Sequence, residues 1–330
     1  MNKTQCPHCF TVYVISDDQM RASEGMVRCG TCQERFQAQL LSPEGAPRFD
    51  PTNAFIEPLS NQELADTLSP DDFIEEATVL AELLESQPDS VFETVTLFKS
   101  WTVNDVLGHL HMFDVAALKT VEGEAVFDSF MKPVLERLNQ GMSLLEAQYP
   151  FLGNLKGREL FEKWQETTKV LGEKYATIDP KQRVKWVGPD MSALSSITAR
   201  QMETWAHGQE VFDALGVQRK DGDRIKNICH LGVVTFSWTF KNRQMPTPDP
   251  VPFVNLTSPS EENWEWNDDQ SKSSIRGNAV EFAQVVTQVR NIKDTSLEVI
   301  GHSADQWMSL AQCFAGAPIT PPVKGSRYKV

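Results

Sequence analysis

Arg200–Gln209 reads RQMETWAHGQ, inside a longer run whose apolar residues recur at helical spacing. Glu203 and His207 stand four positions apart, so both side chains leave one face of that helix, a single turn from each other. A carboxylate and an imidazole so placed can fill two positions around a divalent ion, with a third ligand supplied by another helix. The same spacing suits a surface pair or a hydrogen-bonded core histidine, and the two residues alone leave these readings open.

The helix carrying the pair is expected over Ser192–Leu215, with Gly216 as its C-cap. Arg200 lies three residues before Glu203, within reach of the same pocket mouth, where a guanidinium can grip a substrate carboxylate bidentately. A solvated helix arginine fits equally well. Met202 and Trp205 fall off the ligand face and read as core.

Four further helical stretches precede it. Ser69-Pro70-Asp71-Asp72 is a helix start, with Phe73, Ala77, Leu80, Leu83 and Leu84 on one face. Thr102 caps a second helix, Val103 to about Lys119, which holds His109 and His111. Two residues apart, these histidines point to nearly opposite faces, and His109 shares the inward side with Val106, Leu110 and Phe113. The third spans about Glu124–Gln140 and the fourth Lys156–Tyr175, ended by Asp179 and Pro180. The fold class is therefore mostly α, a helical bundle, and facing helices of a bundle are a common place for a metal site.

The last hundred or so residues change texture. Pro246, Pro248 and Pro250 make a rigid break; Val251–Leu256, Asn263–Trp266 and Ser273–Arg276 read as strands, followed by helices at about Asn278–Val289 and Ser303–Phe314. This is a small α+β unit, with a mobile tail after it.

At the other end, Cys6, Cys9, Cys29 and Cys32 spell C-x2-C-x19-C-x2-C, a zinc-ribbon spacing. Four thiolates close a tetrahedral site, so its Zn2+ is expected to be structural. His8 lies inside the first pair and reads as a bystander. In the ribbon Lys3, Arg21, Arg28 and Arg35 are offset by Asp17, Asp18, Glu24 and Glu34, which favours contact with a protein partner, or a purely folding role, over nucleic acid. Prolines at 43, 47, 51 and 58 among polar residues mark a linker, with room for a short helix at Asn61–Thr67. The expected division is ribbon 1–38, linker 39–68, bundle 69–220, α+β unit 221–317 and tail 318–330.

The net charge of -14 works against binding phosphate backbones or anionic lipid. No apolar run approaches a membrane span, and the polar start MNKTQCPHC does not suit a signal peptide, so the cytoplasm is the expected compartment. Reduced thiols fit that compartment. No Gly-x-Ser-x-Gly elbow, Walker loop or dinucleotide fingerprint is present.

FKSWTVNDVLGHLHMFD, KWVGPDMSA, RQMETWAHGQEVFDALG and QCFAGAP together resemble the DinB-like, or mycothiol-dependent maleylpyruvate isomerase-like, metal-binding superfamily over about Ser69–Ala317. Within it the chain is most similar to a subfamily described only as metal-binding. CPHCFTVYVISDDQM and GMVRCGTCQERF resemble the small bacterial zinc-ribbon family. The superfamily resemblance implies an up-and-down four-helix bundle with a His, Glu, His zinc-type site, falling here on His109, Glu203 and His207, with His111 not a ligand but a residue that supports the ligands from behind or packs. It also implies that the C-terminal unit has a sterol-carrier-like architecture.

Two functional classes follow. The leading one is an enzyme whose divalent metal activates a low-molecular-weight thiol for attack on an electrophilic small-molecule substrate, as the isomerases of the superfamily do. The other is a metal-holding sensor or interaction protein tethered by its ribbon; metal-assisted hydrolysis is a third option, and a homodimer through an apolar bundle face is compatible with each.

Overall fold

A computed structural model of the chain describes residues 2–5, 12–15, 26–28, 35–37, 70–188 and 190–327. The four ribbon cysteines, the linker and the expected cap Ser69 lie outside the described residues. In the N-terminal unit, β1 (Asn2–Gln5) pairs antiparallel with β2 (Val12–Ile15), and β3 (Met26–Arg28) pairs antiparallel with β4 (Arg35–Gln37). These strands belong to one compact unit, and residues 70–315 with 321–327 to a second.

The second unit is mostly helical with a sheet region. Its helices begin with α1 (Pro70–Glu85), α2 (Val103–Glu122), α3 (Glu124–Asn139), α4 (Leu144–Leu152) and α5 (Gly157–Tyr175). A two-residue ribbon, β5 (Arg183–Val184) against β6 (Met191–Ser192), leads into α6 (Ala193–Leu215). Local chemistry sets the ends of the two helices that matter most. Thr102 accepts from the Asp105 amide while the Asp105 carboxylate accepts from the Thr102 amide, a reciprocal cap that starts α2. Ser192 accepts from the Ser195 amide at the start of α6, and Gly216, at φ 66°, ends it in the left-handed conformation.

Helices α1, α2, α5 and α6 pack on one another. One core between them holds Leu80, Leu84, Val106, Leu110, Leu160, Trp164 and Val211; a second, nearer the other end, holds Phe73, Ala117, Leu171, Tyr175 and Ile197. Helices α3 and α4 lie against α2 through Met112, Phe127, Met131 and Ala147.

Beyond α6 come α7 (Lys226–Val234) and α8 (Phe236–Lys241), then β7 (Phe253–Thr257), β8 (Asn263–Trp266), β9 (Ser274–Asn278), α9 (Ala279–Val286), β10 (Glu298–Ile300) and α10 (His302–Leu310). The sheet order is β10-β9-β7-β8, with β7 parallel to β9 and the other pairs antiparallel. Its core is not closed off from the helices before it. Met202, Trp205 and Ala206 of α6 are buried in the same cluster as Ile228, Phe282 and Trp307. Helix α6 therefore turns Glu203 and His207 one way and anchors the sheet region with another face. A buried polar cluster reinforces this joint: Glu76 of α1 binds Arg219 and, at 2.8 Å, Arg224. The expected mobile tail is tied down over 321–327: Asn291 donates to the Pro322 carbonyl at 2.8 Å, and the Gly325 amide donates to the Asp294 carboxylate.

Candidate metal centre

Helices α2 and α6 bring His109, Glu203 and His207 together. The Nε2 atoms of both histidines lie 3.4 Å from Glu203 Oε2, and one donor atom from each residue falls within 4.8 Å of the others. Both rings are buried, while the Glu203 side chain keeps 25% of its exposure, so the group is reached through the carboxylate. His109 faces His207 edge-on at 4.9 Å.

An aromatic wall surrounds the pair. Residues 94–103 form a tight hairpin in which the Thr96 amide donates to the Trp101 carbonyl and the Trp101 amide to the Phe98 carbonyl. Lys99 and Ser100 at its tip have φ of 50° and 59°, a left-handed backbone that non-glycine residues hold only when the surroundings impose it. The turn drives Phe98 and Trp101 onto the site. Phe98 meets His207 edge-on at 5.0 Å, Trp101 stacks near-parallel to it at 6.1 Å, and Phe113 packs on His109 at 4.8 Å. Lys99 sits over the Phe98 ring; burial lowers its pKa, and Glu210 and Glu203 oppose that shift.

Charge is distributed unevenly over the three residues. Burial pushes His109 down to about 4, against the pull of Glu203. Burial acts the same way on His207, but Glu210 and Glu203 together outweigh it and raise the ring to about 9. Burial works to raise Glu203, yet the bonds to the two rings hold its carboxyl well below the usual carboxylate range. The donor set thus keeps its carboxylate ionised and its histidines crowded around it, an arrangement that a divalent cation would satisfy.

The sequence singles out most of these residues but not their supports. His207 Nδ1 bonds the Glu210 carboxylate at 3.0 Å, and Glu210 in turn accepts from Arg327 at 3.0 Å. The signal for Glu210 is its i,i+3 spacing from His207; nothing local points to Arg327. Arg200 is placed differently from the expected substrate clamp. It is buried, with Nε donating to Asp114 Oδ1 at 2.8 Å and Nη2 to the Leu110 carbonyl at 3.3 Å. The reason is the length of its side chain, which on the inward face of α6 reaches across to α2 instead of out to solvent. His111 points away from the group, as its position two residues from His109 requires, and packs on Phe151 at 5.5 Å.

Residues 73–212, which include all three side chains, match the family described as mycothiol maleylpyruvate isomerase N-terminal domain. An uncharacterized protein of Mycobacterium tuberculosis, found in strains CDC 1551 and H37Rv, is 36% identical over 219 residues, 66% of this chain and 84% of the relative. The chain belongs to this family. Residues 3–37 match the zinc-ribbon domain family. Two crystal structures, of the mycothiol-dependent maleylpyruvate isomerase and of a histidine-to-alanine mutant of it, align at a TM-score of 0.43 with 13% and 12% identity, covering 70% of this chain and 90% of theirs. Among the described residues no helix is long and apolar enough to cross a membrane.

Proposed function

We propose that His109, Glu203 and His207 hold a divalent metal ion of zinc type, and that the chain is a metal-dependent enzyme in which a low-molecular-weight thiol attacks an electrophilic small molecule. The observation that carries the metal is the donor spacing. Two ligand atoms each about 2.1 Å from an ion and separated by a tetrahedral angle lie about 3.4 Å apart. Both ring-to-carboxylate distances are 3.4 Å. The His207 Nδ1–Glu210 bond supports the same reading, because a carboxylate on the far nitrogen fixes the tautomer that leaves Nε2 free to ligate.

When bound, such an ion lowers the pKa of a thiol or a water at its open position. The chain's own residues supply the rest. Phe98, Trp101 and Phe113 keep bulk water from the histidines, and Lys99 brings a cation to the mouth that suits an anionic ligand. The thiol and the isomerase or transferase chemistry come from the family description. The same reading takes helices α1, α2, α5 and α6 as a DinB-like up-and-down bundle over 69–220, and 221–317 as an appended sterol-carrier-like unit. Cys6, Cys9, Cys29 and Cys32 are assigned a structural Zn2+ in the ribbon.

Metal content of the full chain tests this. Wild-type protein should carry two equivalents of zinc by atomic spectroscopy, and His207→Ala one, with its helical circular dichroism retained and any thiol-dependent turnover of electrophiles lost. Equal zinc in the two proteins would remove the reading. Two equivalents in wild type without thiol-dependent turnover would favour the tethered sensor or a hydrolase.

A further inference from the structure

We propose that Arg327, near the end of the chain, is a positioning residue for the triad, acting on His207 through Glu210; this rests on the metal reading above. Glu210 lies one turn beyond His207 on α6 and is buried. Its two oxygens do different work. Oε2 bonds His207 Nδ1 at 3.0 Å, and Oε1 accepts from Arg327 Nη1 at 3.0 Å. The same guanidinium lies 4.9 Å from the centre of the Phe98 ring, and that ring is the one set edge-on to His207. Arg327 therefore reaches the imidazole through the carboxylate, while its guanidinium covers the ring that walls the site.

The segment carrying Arg327 is fixed independently of the triad. Pro322 is held by Asn291, Gly325 by Asp294, and the Ser326 amide closes a turn on the Val323 carbonyl. An arginine delivered by a pinned segment can lock a carboxylate in one rotamer. Without it, Glu210 would be a buried carboxylate two turns from Glu203 with no arginine bonded to it, and it would turn toward water. His207 would then lose the partner that fixes its tautomer. The contrast within the triad supports this: His109 Nδ1 is buried and has no hydrogen-bond partner, so His207 is the histidine whose far nitrogen is held. Metal retention thus depends on a side chain 120 positions from the ligand that it orients.

The test uses the full chain with its ribbon first saturated with one equivalent of Zn2+, then titrated with Co2+ against a chromophoric chelator and read by visible d–d absorption. Glu210→Gln should weaken Co2+ binding by about 10- to 100-fold, the usual cost of losing a carboxylate behind a ligating histidine. Arg327→Ala should weaken it by about 10-fold, with Arg327→Lys recovering part of the loss. The double variant should bind no worse than Glu210→Gln alone, since Arg327 acts through that carboxylate. An Arg327→Ala protein that binds like wild type, or losses that multiply in the double variant, would overturn the relay while leaving the metal centre standing. If wild type and His207→Ala give the same Co2+ titration, the metal reading fails and takes the relay with it.

Discussion

Arg200→Met should destabilise the chain severely, because it strands a charge rather than removing a substrate contact. Asp114 has no side-chain exposure and Arg200 only 3%, and they meet at 2.8 Å. Burial raises the Asp114 pKa, while the bonds to Arg200 pull it back down, so the arginine is what makes an ionised carboxylate tolerable at that depth. Removing one partner of such a pair costs about 3 to 5 kcal/mol. For a cooperative unit of this size that corresponds to a fall of roughly 6 to 20 °C in the thermal midpoint. Pairing the change with Asp114→Asn removes the stranded charge, so the double variant should recover much of the loss. Differential scanning calorimetry of wild type, both single variants and the double variant reads the cycle directly. A loss under about 1 kcal/mol in Arg200→Met, or no recovery in the double variant, would mean that the pair does not brace the core and would return Arg200 to the role of a substrate clamp.

Three further outcomes are expected. Gly301 sits at φ 87°, and a Cβ there would meet the Lys272 carbonyl oxygen at 1.9 Å, so Gly301→Ala should cost about 3 kcal/mol in chemical denaturation; a neutral change would mean that the β10–α10 turn adapts freely. Tyr175 is pushed up to about 12, chiefly by burial, with the Ser196 bond working against it. The folded chain then holds this proton where the unfolded chain releases it, so stability is full below about pH 10 and falls toward pH 12 by on the order of 2 to 3 kcal/mol. Denaturation at about pH 9 and about pH 11 should show that fall in wild type and a shallower one in Tyr175→Phe, and equal slopes would contradict it. Thr102→Ala removes the acceptor for the Asp105 amide and should cost about 1 kcal/mol, read in the same denaturation assay; no change would show that the cap is replaced by water.

The parts of the fold that are legible in the sequence are those set by local chemistry. Thr102 and Gly216 bound their helices as read, since a cap depends on the few residues around it. Glu203 and His207 are legible for the same reason, being one turn apart on one helix. Their meeting with His109 depends on how α2 packs against α6, and only the family resemblance supplied it. Helix α4 is missed, being nine residues long with Pro150 inside it, although Ser143 and Glu146 form a reciprocal cap that announces it. Helices α7 and α8 and strand β10 are missed because they are short and their burial comes from neighbours distant in sequence. Arg327 is beyond local reading altogether: its partner Glu210 lies 117 residues earlier.

Anomalous diffraction at the zinc edge from crystals of the full chain would decide whether His109, Glu203 and His207 hold a metal ion. A peak bounded by His109 Nε2, His207 Nε2 and the Glu203 carboxylate is expected, separate from the one in the ribbon. Zinc in the ribbon with no anomalous density among those three side chains would contradict it.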